Sequence, residues 1–322
     1  MAWLPFVFIA LGMFAGFMKL PKKFFDLAEP VGNIALIVLM LSIGINIGSS
    51  DIVIKNIGSI GLQCLFITFC AFVFSIIGVF ALEKTILPLG ELQKKIISLK
   101  VNINSAVKTE NDPDKKSSFF IRGIPVCLAA GIVAGVLLPQ NLFLENLVDK
   151  IFIVSLMVLY ISVGIGLSQN RHVFAYVKLL GWKIILISAA IVSGSLIGGF
   201  IAGLILGVKL HIAVLSACGM SYYSLTGAFM TQAYGITAGT YGFLVNVMRE
   251  FFTVLLLPLW VRLSKGAPIA CGGAADMDTL LIPVTKFIGA ELGLIVLITG
   301  TVLTFAVPVL LQLLSNIFNI FL

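Results

Sequence analysis

The sequence predicts an all-α polytopic membrane protein with about eight transmembrane helices, inverted-topology repeats, two re-entrant or broken segments and its N-terminus outside. Three observations carry that expectation. Of 322 residues, 60% are hydrophobic and only 11% charged, against about 25% charged in an ordinary soluble domain. Apolar runs near the roughly 20 residues needed to cross a bilayer recur along the whole chain. Finally, residues 36–82 and 156–202 align without a gap at a constant offset of 120, with 13 of 47 positions identical, including Ser42/Ser162, Gly44/Gly164, Ser75/Ser195 and Gly78/Gly198. A duplicated hydrophobic unit is a mark of many secondary transporters.

Spans near 3–20, 31–50 and 58–82 make a first repeat over residues 1–82. No basic residue precedes the first run, so it reads as a retained helix and not as a cleaved leader. Segment 83–121 is too polar to cross, with Glu110-Asn111-Asp112-Pro113-Asp114 among many lysines, and reads as a cytoplasmic linker. Spans near 122–139, 150–168 and 180–208 make the second repeat, over 122–208. Three spans before the linker bring this copy in from the opposite side, so the repeats are inverted. Upstream, Ala15-Gly16 and Ala134-Gly135 extend the similarity.

Residues 209–322 form a third region, with spans near 239–261 and 287–318. Between them, 211–235 is dense in hydroxyls, and 264–285 contains Pro268, Gly272-Gly273, Asp276, Asp278 and Pro283. Both read as re-entrant or broken segments, which are tolerated at membrane depth only around protein or a water cavity. Charge placement sets orientation. Lys19, Lys22, Lys23, the eight basic residues from Lys84 to Arg122, then Arg171, Lys178, Lys183, Arg262, Lys265 and Lys286 share one face; only Lys55, Lys150 and Lys209 take the other. The crowded face is cytoplasmic by the positive-inside rule. The net charge of +7 therefore orients the chain and does not point to nucleic acid.

Five scattered cysteines and two histidines near span ends, His172 and His211, show neither metal-ligand spacing nor a disulfide framework; no metal or cofactor is expected. The histidines read as surface residues. The candidate site residues are acids and polar groups inside apolar sequence. Arg249 and Glu250 lie midway along 239–261, with Asn246 one turn earlier. A charge at mid-membrane costs about 2.5–3.5 kcal/mol on insertion scales, so each needs compensation: a water-filled site or, for Arg249, a helix-locking role. Asp276 and Asp278 follow Gly272-Gly273 and suit either a helix cap or a site. Asp51 ends the second span, as a cavity-lining turn or a helix end, with Asn46 inside the repeated Ser-x-Gly-Ile string. Tyr223 and Ser224 belong to the hydroxyl-rich segment. Glu291 opens the final span, where a carboxylate also suits the helix dipole. Several carboxylates and hydroxyls with few basic groups favour a cationic solute. A carboxylate in a low-dielectric site has its charged form disfavoured, so Glu250 can hold a proton or a cation but not readily both, which is sufficient for proton antiport.

Gly219-Met-Ser-Tyr-Tyr-Ser-Leu-Thr-Gly227, Asn246-Val-Met-Arg-Glu250 and Gly273-Ala-Ala-Asp-Met-Asp-Thr279 resemble signature segments of the bacterial LysO-type lysine exporters. Gly44-Ile-Asn-Ile-Gly48 followed by Asp51 resembles that family's early acidic segment. The resemblance covers nearly the whole chain and is weakest in the linker. It implies a multi-pass exporter of L-lysine in the bacterial inner membrane, exchanging against protons, with intramembrane acids at Asp51 and Glu250. Arg249 or a re-entrant helix N-terminus would then hold the substrate carboxylate. A homo-oligomer is compatible with this plan. The alternative is a cation/proton exchanger or another small-solute transporter on a related inverted-repeat fold. An intramembrane aspartyl peptidase would need Tyr-Asp and Gly-x-Gly-Asp, and the chain has no such set.

Overall fold

The computed structural model describes residues 4–18, 22–49, 51–98, 126–127, 129–137, 142–169 and 181–321, and every regular element among them is helical. In chain order these are α1 (Leu4–Phe17), α2 (Lys22–Gly48), α3 (Asp51–Thr85), α4 (Leu89–Ser98), α5 (129–137) and α6 (Leu142–Gln169). A 3-10 turn, Trp182–Ile184, leads into α7 (Ile185–Leu206). Then come α8 (Leu210–Cys218), α9 (Tyr223–Tyr234), α10 (Ile236–Leu255), α11 (Leu257–Leu263), α12 (Gly266–Gly272), α13 (Leu281–Ile288) and α14 (Gly293–Phe321). The expected linker begins helical, as the end of α3 and all of α4; its residues 99–121 lie outside the described residues.

Among the described residues, three stretches are by length and composition long and apolar enough to cross a membrane: Gly58–Thr85, Trp182–Leu206 and Gly293–Ile320. A fourth is the pair α10–α11, bent by 76°. The sequence suggested one uninterrupted span over 239–261. The break falls at Leu256, where Pro258 enters the first turn of α11; proline lacks an N–H and clashes with the preceding turn. The spanning helices carry large apolar side chains outward, such as Leu62, Val73 and Ile77 on α3 and Leu204 and Ile205 on α7. That polarity is inverted relative to a water-soluble bundle and matches a lipid-facing surface.

Two compact units divide the described chain, and they cut across its order. The first contains α1, α2, α5 and α6, closed by glycines. A Cβ on Gly12 of α1 would strike the carbonyl of Ile161 on α6, and one on Gly16 would strike Ser168. A Cβ on Gly131 of α5 would stand 2.6 Å from the carbonyl oxygen of Leu41 on α2, and one on Gly135 would strike that of Ile45 and stand 3.0 Å from Gly48 Cα. Gly131 and Gly135 are the repeat counterparts of Gly12 and Gly16, and Ile161 and Ser168 those of Leu41 and Gly48. The first helix of each repeat thus packs on the second helix of the other. Small residues let backbones approach where no hydrophobic force separates protein from lipid.

In the second unit α3 crosses α7, and the same exchange appears. Ser75 and Ser195, identical and 120 apart, meet side chain to side chain at 3.1 Å. Gly78 faces the carbonyl of Ala190, whereas its counterpart Gly198 faces that of Cys70; Cys70 and Ala190 are again 120 apart. As α3 runs from 70 to 78, its partner runs back from 198 to 190, so the helices are antiparallel and their contact has two-fold character. Around it pack α8 and the long α14.

Candidate functional site

Two helix breaks lie in the second unit, and they touch. The first is α8–α9, interrupted over residues 219–222, where Met220 and Ser221 take positive φ angles of 45° and 75°. The second is α12–α13, interrupted by a 3-10 turn, Gly273–Met277, which begins at a Gly273 with φ of +65°. The Ala274 N–H donates to the Met220 carbonyl across the junction at 2.8 Å. A Cβ on Gly273 would stand 2.5 Å from that oxygen, so both the positive φ and the close approach call for glycine here. Left-handed non-glycine residues are costly and recur at functional sites.

Breaking a helix orphans backbone donors and acceptors that must find partners. Helix α10 supplies them. Its Asn246, wholly buried, accepts from the Ser221 N–H at 2.8 Å and donates to the Ser216 carbonyl at 2.9 Å, so one amide serves both sides of the first break. One turn on, Arg249 serves the second. Its Nε donates to the Cys271 carbonyl at 3.1 Å and Nη2 to that of Ala270 at 2.9 Å, the orphaned C-terminal end of α12, where a cation also complements the helix dipole. Nη1 donates to Ser195 Oγ at 2.8 Å, at the two-fold contact, and the ring of Phe72 lies 5.8 Å from the guanidinium. At 1% exposure and with three donors committed to protein, Arg249 is held as a structural clasp.

Glu250 turns to another side, since neighbouring helix residues diverge by about 100°. It is buried, with the Thr279 hydroxyl beside it and Asp278 nearby. Tyr223, at the start of α9, feels the charges of both acids and stacks edge-on against Phe243 at 5.8 Å. Ser224 beside it is buried. Asp278 is exposed, and its Oδ1 accepts from the Thr279 N–H at 2.5 Å. Asp276 is wholly buried.

The remaining candidates lie elsewhere. Asp51 opens α3 in the first unit, and its side chain is outside the described residues. Asn46, also in the first unit, donates to Asp149 Oδ1 at 3.5 Å, an acid that sequence reading passed over because the two are far apart along the chain. Glu291 accepts from Gln93 Nε2 at 2.9 Å, and Gln93 Oε1 accepts from Lys265 at 2.7 Å. The Glu291 backbone N–H, then Gln93, hold its carboxyl below the usual range; Glu291 ties α4 to the start of the last helix. His172 is outside the described residues, and His211, expected at the surface, is buried against Phe318. Among the described residues no cluster of three or more metal-ligating side chains occurs.

No solved structure matches the chain. "Lysine exporter LysO" of Escherichia coli K12 is 29% identical over 161 residues, 50% of this chain and 54% of that protein; the match thus spans about half of that relative. "Putative lysine exporter" of Haemophilus influenzae is 28% identical over 186 residues, 58% of this chain and 93% of that protein. The family described as lysine exporter LysO matches residues 6–93 and 126–315, both repeats and both broken helices, and the chain belongs to that family.

Proposed function

We propose that this chain exports L-lysine and basic analogues across the bacterial cytoplasmic membrane in exchange for protons, by alternating access. The observation that carries the reading is the junction of two broken helices with Glu250 buried beside Asp278, Tyr223 and Thr279. Such a set recognises ammonium groups, and lysine carries two. The substrate carboxylate is best met by backbone N–H groups of the breaks, because Arg249 is already committed. Glu250 exchanges a proton for the ammonium, and Asp51 contributes the family's early acid. Asn46 and Glu291 take positioning roles.

The crosswise glycine contacts and the Ser75–Ser195 contact support reading residues 1–82 and 122–208 as inverted repeats. With the lysine-rich face inward, this gives about eight spans, the N-terminus outside and segment 83–121 in the cytoplasm. Inverted repeats interconvert two asymmetric shapes, which is what alternating access requires. The test is labelled L-lysine counterflow in proteoliposomes with and without an inside-acid gradient. Exchange accelerated by the gradient in wild type, with Glu250→Gln insensitive to it, is the expected result. Wild type inert to lysine but active with another cation would move the assignment to a different cation exchanger.

A further inference from the structure

We propose that Asp276 holds a second proton of the exchange cycle, distinct from the one that Glu250 exchanges for the solute's ammonium; this deepens, and rests on, the proton-antiport reading. Asp276 lies in the 3-10 turn that interrupts the second broken helix. It is 0% exposed, and neither carboxyl oxygen has a hydrogen-bond partner. Buried polar groups are ordinarily paired, and an exception calls for an account. An ionised carboxylate without a donor is among the most expensive groups to bury; the neutral acid avoids most of that cost.

Asp276 is closely packed against two glycines. A Cβ on Gly272 would strike its Oδ1 and stand 2.6 Å from its Cγ, and a Cβ on Gly300 of α14 would stand 2.5 Å from its backbone carbon. Gly272 thus leaves room for the carboxyl, and Gly300 for the backbone that carries it. The charged or titratable groups that act on Asp276 are Arg249 from α10, Asp278 from its own loop and Cys271 from α12. Helix α14, packed on this turn, has no ionisable residue between Gly293 and Phe321.

Two states follow. With Asp276 protonated, Arg249 is an uncompensated cation held by carbonyls and Ser195. With the proton released, the carboxylate balances the guanidinium, but it needs hydrogen bonds that the present arrangement withholds. Two more hydroxyls lack partners, Ser221 at the first break and Thr299 beside Gly300; both adjoin the junction and can donate to the anion once the breaks shift. Proton release and rearrangement of the breaks are thereby coupled. Asp278, exposed and accepting from the Thr279 N–H, is not confined in this way.

The test has two readouts on the purified full chain. Infrared difference spectra of wild type minus Asp276→Asn, recorded across pH, should show a protonated-carboxyl band that fades as pH rises. In proteoliposomes, Asp276→Asn should still exchange lysine for lysine, at whatever reduced rate, while the gradient's acceleration falls at least roughly tenfold, the scale of one coupling free energy. Absence of the band, a band that no alkaline pH diminishes, or full acceleration in the variant would each overturn the proposal. A sodium gradient that drives wild type when a pH gradient does not would overturn it too. Should wild type fail to move lysine at all, the export reading falls, while the infrared titration still decides whether Asp276 carries a proton.

Discussion

Asn246 and Arg249 do a similar job one helical turn apart, and each predicts a distinct mutational signature. Asn246→Ala strands a buried N–H and a buried carbonyl, at about 1–3 kcal/mol each; the expected outcome is a clear fall in thermal stability in detergent together with loss of transport. Arg249→Lys keeps the charge but cannot reach three acceptors set around one planar group, so we expect it to unfold nearly as readily as Arg249→Gln in the same melt. An Arg249 that served mainly to bind the substrate would instead leave stability intact and raise KM. Sequence identified both residues as candidates from their intramembrane position and offered helix-locking as one role for Arg249, but their partners were hidden. Apart from the Ser195 hydroxyl, their partners are carbonyls and a backbone N–H, which every residue possesses, and only the helix breaks make those particular ones available. Glu250 drew the same expectation from its position, but the groups around it, Asp278, Tyr223 and Thr279, come from elsewhere along the chain.

At the scale of elements, the two breaks announced themselves through hydroxyl density, paired glycines and prolines, whereas the bend at Leu256 is marked by a single proline, Pro258, in an otherwise apolar run. The repeat was equally plain as a sequence identity, yet identity alone does not say that equivalent residues touch. The α3–α7 crossing makes that claim testable. In a cysteine-free background, Ser75→Cys with Ser195→Cys should form a disulfide on oxidation, and a protease site placed in segment 99–121 should then yield halves that separate only under reduction. Gly194 is the tighter point of the same crossing, where a Cβ would stand 2.5 Å from the Ser75 backbone. Gly194→Val should therefore lower the yield of monodisperse protein sharply on size exclusion, while Gly61→Val, with open space around it, should not.

For the whole molecule, orientation predicts that Ser117→Cys, in the cysteine-free chain, reacts with a membrane-impermeant maleimide only in inside-out vesicles. Labelling from the periplasmic side would reverse the topology. Length and charge were sufficient to anticipate a helical membrane protein, but not that its compact units would draw on both repeats. That outcome follows from where the small residues lie. Because Gly12 and Gly16 face α6 while Gly131 and Gly135 face α2, neither half of the chain contains its own matching surfaces. During synthesis, Gly12 therefore leaves the ribosome about 150 residues ahead of the Ile161 carbonyl it must meet, and Leu41 about 90 residues ahead of Gly131.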